Sequence, residues 1–168
     1  PDCINDECLA LIAEVGVRHQ VDITMEVGLQ TVNYHTLNNI NRGHTLAEFI
    51  DAVLRIKKRD MTVCAHVILN LPGDDLTDVI ETAKVLSAVG VDQVKLHALY
   101  IVKETVLAQR YEQGALKLGD KDEYVERVIK FLEFLHPRII VQRLIGRAPA
   151  ADTLFANWGI SWWKIKEE

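Results

Sequence analysis

Three side chains of complementary chemistry lie close together in Met25-Glu26-Val27-Gly28-Leu29-Gln30-Thr31 and the Asn41-Arg42-Gly43 that follows. They are a carboxylate (Glu26), a carboxamide (Gln30) and a guanidinium (Arg42). Brought together where a parallel strand ends, these groups suit a zwitterionic or nucleoside ligand, and the C-terminal ends of strands are where α/β folds place their ligands. The same spacing also describes a surface hydrogen-bond cluster, and composition alone does not choose between the two.

Whether the three groups meet depends on the elements that carry them. Side chains alternate along a strand, so Glu26 and Gln30 share one face while Val21, Ile23, Met25 and Val27 point the other way, under helices. A turn and a short helix then return Arg42 to the strand end. The chain reads helix, strand, helix, strand, helix, strand. Residues 6–16 carry Leu9, Ile12, Ala13 and Val15 at helical spacing, with Gly16 as the stop. The first strand covers 20–30. Residues 45–59 form a helix opened by a Thr45/Glu48 capping box, with Phe49, Val53 and Ile56 on its buried stripe. Thr62 to Asn70 is the second strand, ending in Leu71-Pro72-Gly73-Asp74. Residues 75–89 are helical and Gln93 to Leu99 is the third strand. Strands separated by helices of this length indicate right-handed βαβ units and a parallel sheet.

After residue 100 the rhythm changes. A loop with a short helix near Leu107 to Gln113 precedes a long amphipathic helix capped by Asp120, with Tyr124, Val128, Phe131 and Leu135 on one face. Pro137 ends that helix, Ile139 to Ile145 is a fourth strand, and Trp158, Trp162 and Trp163 mark a docked tail whose indoles anchor the core. Two units are expected: residues 1–100, and an extension from 101 to 168 packed upon them.

Parity carries the most structural information. Cys64, His66, Ile68 and Asn70 share one face of the second strand, and Gln93, Lys95 and His97 one face of the third. Each strand therefore has a greasy face and a polar one, whereas parallel strands covered on both sides are normally apolar on both. A polar inner wall implies a wide or open barrel whose interior holds a ligand.

The totals bound the function classes. The chain has 168 residues, about half of them hydrophobic and a quarter charged, with a net charge of −5. That balance argues against a dedicated nucleic-acid surface, which needs a basic stripe. No apolar run approaches the roughly 20 residues of a membrane span. Three cysteines, Cys3, Cys8 and Cys64, make no even framework, which points to a reducing cytosol.

Glu26-Val27-Gly28-Leu29-Gln30-Thr31 followed by Leu37 and Ile40-Asn41-Arg42-Gly43-His44 resembles the "GxQs…L…xxRxH" segment of radical SAM enzymes. The resemblance is to the branch with oxygen-independent coproporphyrinogen dehydrogenase and the Elongator catalytic subunit. Ile68-Leu69-Asn70-Leu71-Pro72-Gly73-Asp74 is similar to that branch's "GLPG[ED]" turn, with Asn70 replacing the usual glycine. Val94-Lys95-Leu96-His97 with Lys103-Glu104-Thr105, and the opening Pro1-Asp2-Cys3, resemble a subgroup of bacterial Fe–S oxidoreductases reading "VKLH…KGT" and "TRPDC". The implied fold is about half of an open, TIM-like radical SAM barrel plus a C-terminal helix–strand extension.

The resemblance implies that Gln30 and Arg42 contact S-adenosylmethionine, the arginine near its carboxylate by guanidinium–carboxylate pairing. His66 takes a position often held by an aspartate near the ribose. Glu26 and Asn70 fall in the same pocket by parity, and His97 and Lys103 face substrate. Such enzymes cleave S-adenosylmethionine reductively to a 5′-deoxyadenosyl radical at a [4Fe–4S] cluster held by C-x3-C-x2-C. This sequence has no such motif: Cys3 and Cys8 are spaced C-x4-C and Cys64 sits mid-strand, which suits inert thiols. The expectation is the C-terminal part of a longer enzyme, without the cluster and inactive alone. Its open strand edge should favour self-association.

Two further readings stand beside this one. A phosphate-binding barrel enzyme would use the turn after the second strand and the next helix N-terminus, although Asp74 and Asp75 there repel phosphate. A non-catalytic module would bind RNA, as the Elongator relative acts on tRNA. Six scattered histidines without H-x-x-x-H spacing make a poor zinc site.

Overall fold

A computed structural model describes residues 1, 4–148 and 151–168, so Cys3 and part of the Pro1-Asp2-Cys3 opening lie outside the described residues. The elements are α1 (Asp6–His19), β1 (Thr24–Gln30), α2 (Tyr34–Asn39), α3 (Leu46–Lys57), β2 (Thr62–Ile68), α4 (Leu76–Val89) and β3 (Gln93–His97). They continue with β4 (Ile101–Val102), α5 (Val106–Glu112), α6 (Lys121–Phe134), β5 (Ile140–Arg143), β6 (Thr153–Phe155), a 3-10 turn at Asn157–Gly159 and α7 (Trp162–Lys166).

Four strands form one parallel sheet in the order β1-β2-β3-β5. Val63, Ala65, Val67 and Leu69 of β2 and the residue following it, with Val94 and Leu96 of β3, are almost wholly buried. They share a core with Phe49, Val53 and Ile56 of α3, Val79, Ala83 and Leu86 of α4, and Tyr124 and Phe131 of α6. The helix starts follow local chemistry. Thr45 and Glu48 make the reciprocal capping box of α3, and Asp75 with Asp78 makes another on α4. The segment after residue 100 places β5 directly beside β3 and packs α6 on α4.

The opposite face of the sheet stays polar, with Glu26, His66 and Lys95 on it and Gln142 donating to Gln93. Among the described residues β1 pairs with β2 alone. Ile23 O accepts from Thr62 N, so alternation turns the carbonyls of Thr24, Glu26 and Gly28 to the outer edge.

Several boundaries differ from the sequence reading. Helix α1 runs past Gly16 to His19 and stops at Gln20, which takes φ 52° as a left-handed cap. Gly16 is instead a packing residue, since a Cβ there would lie 3.1 Å from Ile23 Cγ1. The turn after α1 leaves Val21 exposed rather than under a helix, and β1 begins only at Thr24. A second sheet, β4 antiparallel to β6, has no counterpart in the sequence reading. Of the tryptophans only Trp158 is an anchor. Its Nε1 donates to Gly119 O at 2.7 Å and its ring lies 5.5 Å from Tyr124, whereas Trp162 and Trp163 are exposed.

Candidate functional site

Gly28 is the floor on which two of the expected residues converge. The pairing of β1 with β2 skips a residue between Gly28 and Gln30, and Gln30 takes φ 75° at this bulge. Its side chain folds back over Gly28, where a Cβ would sit 2.6 Å from Gln30 Nε2 and 2.8 Å from Arg42 Nη2. Arg42 returns through α2, whose start is capped by Asn33. Arg42 Nη2 donates to Gly28 O at 2.9 Å, and its Nη1 bonds His44 Nδ1 at 3.0 Å. Its Nε is buried with no protein partner. Arg42 thus returns to the strand end as the sequence implies, with its guanidinium resting partly on the protein's own acceptors, while Gln30 reaches that end through a bulge rather than by plain alternation.

Beside this lies a charged row that crosses three strands. Glu26 on β1 bonds His66 Nε2 of β2 at 2.7 Å and Lys95 Nζ of β3. The Lys95 ammonium first, and then His66, hold the Glu26 carboxyl below its usual range against the opposing cost of burial. His66 Nδ1 in turn meets His97 Nε2 at 3.3 Å, with the two rings nearly parallel at 19°. Burial first, then the nearby charges of His66, Arg143 and Lys95, push His97 down to about 4. Gln30, His66 and His97 line a cleft of about 370 Å³ with Ile68, Ala98, Leu99 and Tyr100. Lys95 is the member the sequence reading left out of the site. The polar parity of β3 signalled it, since Gln93, Lys95 and His97 were placed on the inner face.

The remaining expected residues go elsewhere. Asn70 is buried and brackets two strand ends, its Oδ1 accepting from Leu99 N at 2.6 Å while its Nδ2 has no partner. Lys103 bonds Ala151 O at 3.0 Å and does not line the cleft. The start of α4 is occupied by its own carboxylates: Asp75 accepts from Thr77 N and Asp78 N, and Asp78 from Asp75 N. Among the described residues no group of three or more His, Cys, Asp or Glu could hold a metal. Cys64 is fully buried and its thiol is pushed up by burial, while Cys8 is exposed. These residues do not fit a [4Fe–4S] cluster.

A second, larger groove of about 610 Å³ borders β5. It is lined by Leu132, Val141, Gln142, Leu144 and Ile145, with Arg143, Arg147, Trp162 and Lys166. Among the described residues none of these three cations has a carboxylate partner.

Residues 1–86 match the Radical SAM superfamily and residues 91–168 the Radical SAM C-terminal domain. The chain is 37% identical over 166 residues to the uncharacterized protein MJ0486 of Methanocaldococcus jannaschii, covering 98% of this chain and 51% of that protein. It is 33% identical over 165 residues to the uncharacterized protein YtqA of Bacillus subtilis, covering 98% and 51%. The chain thus spans about half the length of the curated relatives it matches. In three dimensions it is similar to an archaeal Elp3 from Methanocaldococcus infernus with an N-terminal deletion. That likeness has a TM-score of 0.79 at 18% identity, over 98% of this chain and 38% of the other. On the residues matched, this polar-faced parallel sheet belongs to the radical SAM superfamily.

Proposed function

We propose that Glu26, Gln30, Arg42 and His66 form part of the wall that holds S-adenosylmethionine in a radical SAM iron–sulfur enzyme of the cytosol. The observation that carries this reading is the convergence of Gln30 and Arg42 over Gly28 at the C-terminal end of β1, with the Glu26–His66 pair beside it on the same face. The donor set fits the cofactor. A carboxylate and an imidazole suit a ribose diol, an amide can both donate and accept, and Arg42 keeps one buried N–H unsatisfied. When bound, S-adenosylmethionine supplies a 5′-deoxyadenosyl radical. The protein's own residues orient the nucleoside against the sheet and exclude water from one side of it. Gly28 leaves room for Gln30 and Arg42 to converge, and the bulge at Gln30 aims its amide into the cleft. In this reading the cluster ligands come from outside the described residues.

Titration calorimetry on the full-length protein tests the site. Gln30→Ala and Arg42→Ala should each weaken S-adenosylmethionine binding by roughly 1–3 kcal/mol, the usual value of a hydrogen bond to a charged group. Affinity unchanged in both variants overturns the assignment.

A second reading, an RNA-binding surface, is favoured by the groove beside β5, where three cations without a carboxylate partner among the described residues line the same groove as the exposed indole of Trp162.

A further inference from the structure

The row Lys95–Glu26–His66–His97 takes a single order of donors and acceptors when His66 is neutral. An ionised carboxylate only accepts, so Glu26 requires the proton of His66 to sit on Nε2. Neutral His66 then offers a lone pair at Nδ1, and the contact there requires His97 to donate from Nε2. The remaining nitrogen, His97 Nδ1, is left with its lone pair. Among the described residues no hydrogen-bond donor meets it. The neighbour it does have is Gly146, where a Cβ would come within 2.8 Å of that nitrogen. The absence of a side chain at Gly146 keeps the lone pair open.

We propose that His97 Nδ1 is a proton-accepting site for an O–H or N–H group of the substrate, with His66, Glu26 and Lys95 as its positioning residues. The inference rests on the reading of this face as the inner wall of the enzyme. The step balances without any further reagent. The substrate X–H bond breaks, its electron pair stays on X, and the proton bonds to His97 Nδ1. His97 passes its Nε2 proton to His66 Nδ1, so the positive charge comes to rest on His66 against the Glu26 carboxylate. Lys95 keeps that carboxylate ionised before the proton arrives. This transfer answers the main objection to His97 as a base. Burial first, and then His66, Arg143 and Lys95, disfavour a charge on its ring, while the field of Glu26 favours one. Moving the charge one ring further relieves that repulsion.

Two measurements on the full-length protein decide the matter, and neither uses cofactor turnover. Imidazole ¹⁵N spectra should show His97 protonated on Nε2 and unprotonated on Nδ1, and His66 likewise protonated on Nε2. In Glu26→Gln the single tautomer of both rings should be lost. A His97 that carries its proton on Nδ1 in the unmodified protein overturns the proposal, whatever the variants do. The second measurement is carbethoxylation by diethyl pyrocarbonate, read residue by residue by mass spectrometry. His97 should react through Nδ1, and the exposed His19 and His35 serve as the reference sites. The rate at His97 should fall several-fold in Gly146→Ala while theirs is unchanged. An unreactive His97, or one indifferent to Gly146→Ala, means that the ring is structural. S-adenosylmethionine affinity in Gln30→Ala and Arg42→Ala reads the cofactor wall separately, so the two ideas fail independently.

Discussion

At the scale of single residues, the site is a set of charges whose states are set by neighbours, and His97 shows it best. Burial and nearby cations take it from 6.5 to about 4 in the folded protein. The unfolded chain therefore binds more protons between those two values, and stability must rise with pH across the window and fall as acid is added through it. The expected loss on going from pH 7 to 4 is about 1–2 kcal/mol from this group, below the full linkage value because the ring is partly wet. Urea unfolding at several pH values checks this, with His97→Asn as the comparison. The difference between the two proteins should appear only below about pH 6.5, and an equal slope in both would remove His97 from the account. Glu26 acts in the same direction, but in a more acidic window: its lowered carboxyl also loses its contribution as pH falls, below the usual carboxylate range. Side-chain alternation alone placed Glu26, His66 and His97 on one face. It did not show that Lys95 ties Glu26 down, because that contact spans 69 residues of sequence and depends on the register of three strands.

At the scale of elements, one buried cation ties a helix to the turn that follows β2. Arg127 of α6 donates to Leu69 O and to Asp74 O, each at 2.9 Å, and to Glu123 Oε1 at 2.7 Å. Removing the guanidinium strands two buried carbonyls. Arg127→Met should cost roughly 2–4 kcal/mol in chemical denaturation, whereas Glu123→Gln, whose carboxylate is half exposed, should cost under about 1 kcal/mol. Equal costs would mean that the ion pair, not the carbonyl bonds, holds the turn. Helix ends with a side-chain signal were legible in the sequence: the Thr45/Glu48 box and the Asp120 cap are where their spacing put them. Pairings without a local signal were not. β4 and β6 are two and three residues long and meet across some fifty residues, so no periodicity marks either. The stop of α1 was misplaced because Gly16 reads as a cap when its real constraint is the close approach of Ile23.

At the scale of the whole molecule, net charge proved a poor guide to the local field. The chain carries −5 overall, yet the groove along β5 gathers Arg143, Arg147 and Lys166 with no carboxylate among its lining residues. Trp162, expected in the core, stands exposed at its rim, and Arg147 and Trp162 continue into an adjoining hollow of about 440 Å³ that also touches Trp163. Cations beside exposed indoles are the arrangement that tracks a single strand, phosphates on the charges and bases on the rings. If the RNA reading holds, binding of a short single-stranded RNA, followed by fluorescence anisotropy, must weaken as salt is added. Three phosphate contacts give a slope of about −2 in log K against log salt, and each of Arg143→Ala, Arg147→Ala and Lys166→Ala should lower it by about 0.7. Trp162→Ala should instead cost roughly 1–3 kcal/mol with the slope unchanged, because stacking displaces no counterions. A flat salt dependence, or variants that leave the slope where it was, would leave the groove a feature of packing and return the burden of function to the cofactor wall alone.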